Sequence, residues 1–334
     1  MVEPQSSKLM VRVRFPSSPP NRKPLVTAAF FIPGPKTCDT GGVSVPPSPE
    51  PIHTGSSSEP GQPPPAGRSS SGHATISLGS FATLLISIAA VLLFGLQSDW
   101  GYLPLVSGVV LGFVAGRTLG RDLLLIALAL GLISTISVEA DISWGNIALM
   151  GVVLGGAVVV PYVISRWVYG DDVIKFPRRQ GRPWSKLEWG WLVVVVFLGW
   201  LILPRYFIGS GAYQNWPAVE TPSEIIRLFL GVNAVGIWDE LFFICTVFTL
   251  LYRHFPFWTA NVLTSIIFVS FLWELGYQAW GPLLTIPFAL VQAVIFTRTK
   301  SLPYTICVHL LFDLMVFLAI VHAHHPAWID IFWY

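Results

Sequence analysis

Ionisable residues stand inside the apolar runs near the C-terminal end of the chain: Asp239 and Glu240 in GIWDELFFICT, Glu274 in FLWELGY, and His309 with Asp313 in CVHLLFDLM. A charge at bilayer depth costs roughly 3 kcal/mol on insertion scales, so such groups face a bundle interior, pair with one another, or mark a chemical or ion pathway. His309 and Asp313 are four residues apart and share one helix face, where a carboxylate can orient an imidazole or share a cation with it. Asp239 and Glu240 are adjacent and point about 100° apart on a helix, so only one of them faces a given cavity squarely. Several buried carboxylates around one imidazole suit a general base, a cation site, or both. The competing reading is structural, with each carboxylate pairing to Trp, Tyr or backbone groups to join helices.

The elements that must position these residues are membrane helices. Hydrophobic residues make up 53% of the chain and charged residues 11%. With a mean hydropathy of +0.63, this is the usage of a polytopic membrane protein. A net charge of +2 gives no basis for nucleic-acid binding. A spanning helix needs roughly 20 residues, and about nine stretches approach that length: 76–97, 101–117, 122–140, 145–167, 189–208, 224–251, 258–279, 282–298 and 303–322. Alternating them puts four basic connectors on one side: Arg117 and Arg121; Lys175 to Lys186; Arg253 and His254; Arg298 and Lys300. By the positive-inside rule that side is cytoplasmic, which sets the N-terminus inside and the C-terminus outside.

Residues 1–73 are different material, with more than half of the chain's 27 prolines and long Ser/Gly tracts. Such a composition cannot bury enough apolar surface to offset ordering entropy, and a disordered tail is expected there. The expected division is this tail, N-terminal transmembrane helices over 74–208, and a site-bearing domain over 209–334. Cys38, Cys245 and Cys307 are scattered without CxxC spacing, which gives no thiolate metal site. His322, His324 and His325 lack an i,i+4 His pair with a carboxylate and are read as interfacial and solvated.

The last ~110 residues resemble the CPBP group of intramembrane proteases, which includes type II CAAX prenyl endopeptidases and bacteriocin-immunity proteins. That group carries Glu-Glu-x-x-x-Arg, Phe-x-x-x-His and His-x-x-x-Asn/Asp on successive helices. WDELFFI stands at the first motif, with Asp239 and Glu240 for the two Glu and Ile244 for the Arg. The third motif is intact as His309-Leu-Leu-Phe-Asp313. The second is altered: SIIFVSFLWEL has no His, and Glu274 stands nearest its place, with Ser270 for the Phe. The resemblance implies a carboxylate-activated water attacking a peptide bond within the membrane. Asp239 or Glu240 would be the base, His309 and Asp313 would complete the site, and Glu274 would stand where a histidine is usual. It also implies a possible divalent metal of unknown identity, held by Glu240, Glu274, His309 and Asp313. Two carboxylates, an imidazole and an aspartate suit a harder ion better than zinc.

Depth separates one member from the rest. At about 1.5 Å per residue, Glu240, Asp313 and His309 lie roughly 18, 15 and 9 Å from the cytoplasmic ends of their spans, and Glu274 roughly 24 Å. The expectation is therefore an all-α polytopic membrane protein with a CPBP-like C-terminal bundle. It would hydrolyse a peptide or protein substrate within or near the lipid of a bacterial plasma membrane. The alternative is a non-catalytic relative of the binding or immunity type, or a carboxylate-lined transporter.

Overall fold

Five of the helices start where a serine or threonine caps them. A computed structural model describes residues 77–178, 183–329 and 331–333. The expected 1–73 tail lies outside them. Ser77, Ser143, Ser185, Thr221 and Ser301 each accept a hydrogen bond from a backbone N–H of the first turn. Ser185 with Glu188, and Thr221 with Glu224, form reciprocal capping boxes. These satisfy the amide groups that a helix start leaves without partners. The ends use residues in the left-handed region, including Gly211 (φ 75°) and Gly276 (φ 131°), where a side chain would be strained.

The order is α1 (Leu78–Ala90, extended by a π turn Val91–Gly95), α2 (Tyr102–Ala115), α3 (Arg117–Ile133), α4 (Trp144–Val163, extended by Ile164–Val168) and α5 (Lys186–Ser210). Then come α6 (Pro222–Asp239), a π-helical segment Glu240–Phe248, α7 (Thr249–Tyr252), α8 (Phe257–Leu275), α9 (Gly281–Thr299) and α10 (Leu302–His324). No strand occurs among the described residues. Among the described residues, seven continuous helices are long and apolar enough to cross a membrane: Leu78–Gly95, Trp144–Val168, Lys186–Ser210, Pro222–Tyr252, Phe257–Leu275, Gly281–Thr299 and Leu302–His324. The expected count of nine is not reached by this measure. The 101–117 and 122–140 stretches instead give α2, of 14 residues, and α3, of 17, which opens with Arg117, Arg121 and Asp122.

Hairpin neighbours pack together along the first half of the chain, α1 on α2, α2 on α3 and α3 on α4. In the second half α10 is the hub, lying against α5 and α6, while α8 packs on α9 and reaches back to α1. An aromatic cluster fixes the junction of α6, its π continuation and α8. Trp238 lies 4.9 Å from Phe271, and Phe243 stacks on Phe268 at 4.4 Å. The indole N–H of Trp238 donates to the carbonyl of Leu154 in α4, so the one polar atom of the cluster is satisfied where burial would otherwise cost it.

The two ends of the bundle differ. At the basic end, buried Asp122 meets His254 at 2.6 Å and Arg253 at 3.6 Å, and Arg253 also reaches Asp171. Both partners are needed for a carboxylate so far from water. At the opposite end the histidines read as solvated are used in docking. His322 donates to the Ile329 carbonyl and His325 to that of Val219, so each binds backbone that a solvated ring would leave to water.

Candidate active site

His309 is the centre of the site, and a different carboxylate group faces each of its ring nitrogens. Nδ1 lies 2.7 Å from Glu240 Oε1. The amide of Gln292, from α9, donates to that same oxygen at 2.7 Å. An oxygen already accepting from the amide accepts from the ring as well, so the Nδ1 proton points at Glu240. On the other side, Nε2 stands 3.6 Å from Asp239 Oδ2 and 3.8 Å from Asp313 Oδ1. Those separations exceed a direct hydrogen bond. Nε2, Asp239 and Asp313 therefore border a common space rather than closing on one another.

That space is the inner end of a cavity of about 310 Å³, within the size range of small-molecule pockets. Asp239, His309 and Asp313 line it, whereas Glu240 does not. The rest of its wall is mainly apolar, drawn from α4, α6, the end of α8, Trp216, Tyr277, Phe288 and Phe312, with Asp141 and Thr285 as further polar members. Phe288 holds the ring edge-on at 4.9 Å and stacks on Phe312 at 4.6 Å, which fixes the imidazole plane. Three carboxylate oxygens, Asp239 Oδ1, Glu240 Oε2 and Asp313 Oδ2, are buried without a hydrogen-bond partner. Unpaired buried carboxylate oxygens are costly, so these three atoms call for a partner in the space that each borders.

Backbone geometry explains how adjacent Asp239 and Glu240 serve different places. Asp239 ends the α-helical part of α6 and Glu240 begins the π segment. Thr246 and Thr249 return their hydroxyls to carbonyls five residues earlier, those of Leu241 and Ile244. A wider turn of this kind is uncommon and is found mostly at functional positions. Gly236, one turn before Glu240, is the second local requirement. A methyl group there would overlap Asp313 Oδ2 and come within 3.1 Å of His309 Cδ2, so the side chains of both site residues fill the space that a larger residue at 236 would need.

Of the expected site residues, Asp239, Glu240, His309 and Asp313 come together and Glu274 does not. Glu274 is buried on the other side of α8, where its Oε1 accepts from the backbone N–H of Val138 at 3.3 Å. It lines a separate polar pocket with Gln97, Tyr102 and Ser134. Leu272 and Leu275, on either side of it in sequence, are the α8 residues that reach the cavity. The metal set that the resemblance implies does not converge either, because Glu240 and Asp313 approach opposite nitrogens of one ring and Glu274 lies elsewhere. Among the described residues no group of three or more His, Cys, Asp or Glu side chains is arranged to hold a metal ion. Gln292 was missed, although a lone amide in the apolar run PFALVQAVIF carries the same signal as the carboxylates, a polar group at bilayer depth.

The Glu274 geometry gives a direct expectation. Glu274→His restores the residue type that the motif would carry, yet it should leave any peptidase activity unchanged. It should lower thermal stability, because Val138 N–H loses its acceptor. A gain in cleavage by this variant would return Glu274 to the site.

Together these features define a polytopic helical membrane protein with a buried carboxylate–imidazole site at the end of an apolar cavity. Residues 221–315 match the family model described as Type II CAAX prenyl endopeptidase Rce1-like. The match runs from the cap of α6 to just beyond Asp313 and relates this segment to the CPBP family, a family of membrane proteases. No curated protein and no solved structure matches the chain.

Proposed function

We propose that this protein is an intramembrane endopeptidase of the CAAX-protease-like kind, in which a water between Asp239, Asp313 and His309 attacks a peptide carbonyl. The observation that carries the reading is the asymmetry of His309, with Glu240 and Gln292 fixing Nδ1 and two cavity-facing aspartates about Nε2. In this reaction Asp239 accepts a proton from the water as its oxygen bonds to the carbonyl carbon. His309, carrying a proton on each ring nitrogen as an imidazolium between Glu240 and the two aspartates, stabilises the developing oxyanion through Nε2–H. As the carbon–nitrogen bond breaks, the leaving amine takes a proton from Asp239, giving a carboxylic acid and an amine with no other reactant consumed. Glu240 acts through His309, keeping its ring in place and its Nδ1 proton occupied. General acid–base help of this kind contributes typically about 10² to 10⁴ in rate.

Residues of this chain carry every step, so cleavage of a peptide library by the purified protein in detergent should persist after treatment with a strong chelator. Mass spectrometry of the products reports both activity and the bond cut. Activity abolished by the chelator and restored by one divalent ion would replace the aspartate-held water with a metal-bound one. Absence of any cleavage would favour the non-catalytic relative.

A further inference from the structure

Three tyrosines are buried among the described residues, Tyr206, Tyr277 and Tyr304, and two of them commit their hydroxyls to backbone. Tyr206 donates to the carbonyl of Gln278 at 2.8 Å and Tyr304 to that of Glu188 at 2.9 Å, as a buried phenol normally does. Tyr277 is different. It is 5% exposed and lines the cavity that Asp239, His309 and Asp313 border. Its hydroxyl makes no hydrogen bond to any group among the described residues. Unlike the neighbouring indole N–H of Trp216, which is sealed in without a partner, that hydroxyl keeps an accessible surface.

The side chain is also held so that it cannot turn away. Its ring lies parallel to that of Tyr206 at 6.3 Å and edge-on to Trp216 at 5.6 Å. Its backbone N–H donates to the carbonyl of Leu272 at 3.0 Å, and the amide of Asn215 donates to the carbonyl of Gly276 at 3.1 Å. Gly276 admits Trp216 at this point, since a methyl group there would stand 2.9 Å from the indole nitrogen. A donor fixed in this way and left without an acceptor is pre-organised for an occupant of the cavity. That occupant must bring an acceptor into a mainly apolar space. An apolar peptide does so whatever its side chains, because an extended backbone carries a carbonyl about every 3.4 Å. A peptide attacked between the aspartates therefore presents further carbonyls along the same cavity.

We infer that Tyr277 is a substrate-binding residue, whose hydroxyl donates a hydrogen bond to a backbone carbonyl flanking the peptide bond that is cut. This inference rests on the peptidase reading for the fate of the peptide, and on the cavity and the unpartnered donor for the contact itself. A contact to a flanking carbonyl holds substrate and transition state alike, so its loss is expressed in KM rather than kcat.

Tyr277→Phe removes the hydroxyl and keeps the ring among its aromatic neighbours. For the best-cleaved apolar peptide of the library, the purified variant should show a KM raised about tenfold and a kcat within about twofold of wild type. Its melting temperature should be unchanged, whereas Tyr206→Phe, which loses the bond to Gln278, should melt lower. Replacing the amides of that peptide one at a time by esters weakens each carbonyl as an acceptor. At one flanking position the ester should raise KM for wild type and leave it unchanged for Tyr277→Phe. An unchanged KM, or no ester position that distinguishes the two proteins, overturns the inference. So does a melting temperature lowered as far as in Tyr206→Phe, which makes Tyr277 structural, and so does a fall confined to kcat, which places the hydroxyl on the oxyanion. If wild type cleaves nothing, fluorescence anisotropy of a labelled apolar library peptide decides. Weaker binding by Tyr277→Phe then upholds the contact while the peptidase reading fails, and equal binding overturns the contact as well.

Discussion

Asp239→Asn and His309→Ala should each reduce peptide cleavage by about 10² to 10⁴, the range for loss of general acid–base assistance. Both proteins should remain folded and membrane-inserted. Asparagine keeps the size of Asp239 and lacks only the charge that accepts a proton. Alanine at position 309 removes the group that Glu240 and the two aspartates share. The structural explanation of the same cluster predicts another pattern, since removing one partner of a buried ion pair costs about 3–5 kcal/mol. Asp239 and His309 are 3.6 Å apart and Asp239 Oδ1 has no partner, so little direct bonding is lost at this position. Thermal unfolding and cleavage measured on the same preparations decide between them. A large fall in melting temperature for Asp239→Asn, in step with the loss of cleavage, would make the cluster a helix joint. Glu240→Gln provides the contrast: its oxygen binds both His309 and Gln292, and this variant should lose stability as well as rate.

How much of this could be read from residue types alone follows from what each signal measures. Long apolar runs identify membrane helices because length and hydropathy are local properties. The runs that became α2 and α3 also passed that reading, but α2 is short and α3 opens with charges. The i,i+4 spacing of His309 and Asp313 survives because α10 is a regular helix through that turn. Asp239 and Glu240 were recognised as facing different directions, but their separate tasks depend on where Gln292 of α9 and Asp313 of α10 arrive, which is tertiary packing. Depth along its span sets Glu274 apart from the other site residues in the sequence itself, whereas its acceptor role toward Val138 is invisible there, because a connector's backbone amide leaves no trace in side-chain type. Gly236 was likewise unmarked, since a helix glycine shows its reason only when the neighbour it admits is known.

Gly236 therefore carries the other large expected effect. Gly236→Ala adds one methyl group in a place where alanine favours helix by about 1 kcal/mol over glycine, so local propensity alone predicts a neutral or stabilising change. Packing predicts the reverse for function. The methyl would take the position of Asp313 Oδ2 and crowd His309 Cδ2, and relief requires Asp313 to rotate away or α10 to shift from α6. A displacement of about 1 Å at reacting groups can cost about 10² in rate, and a loss of that order is expected, expressed in kcat with little change in KM. Gly190→Ala in α5 is the control, because a methyl there meets nothing within 4 Å. If Gly236→Ala and Gly190→Ala behaved alike in both cleavage and melting temperature, the close approach of α10 to α6 would have no part in the chemistry. The aspartate-held water would then lose its main geometric support.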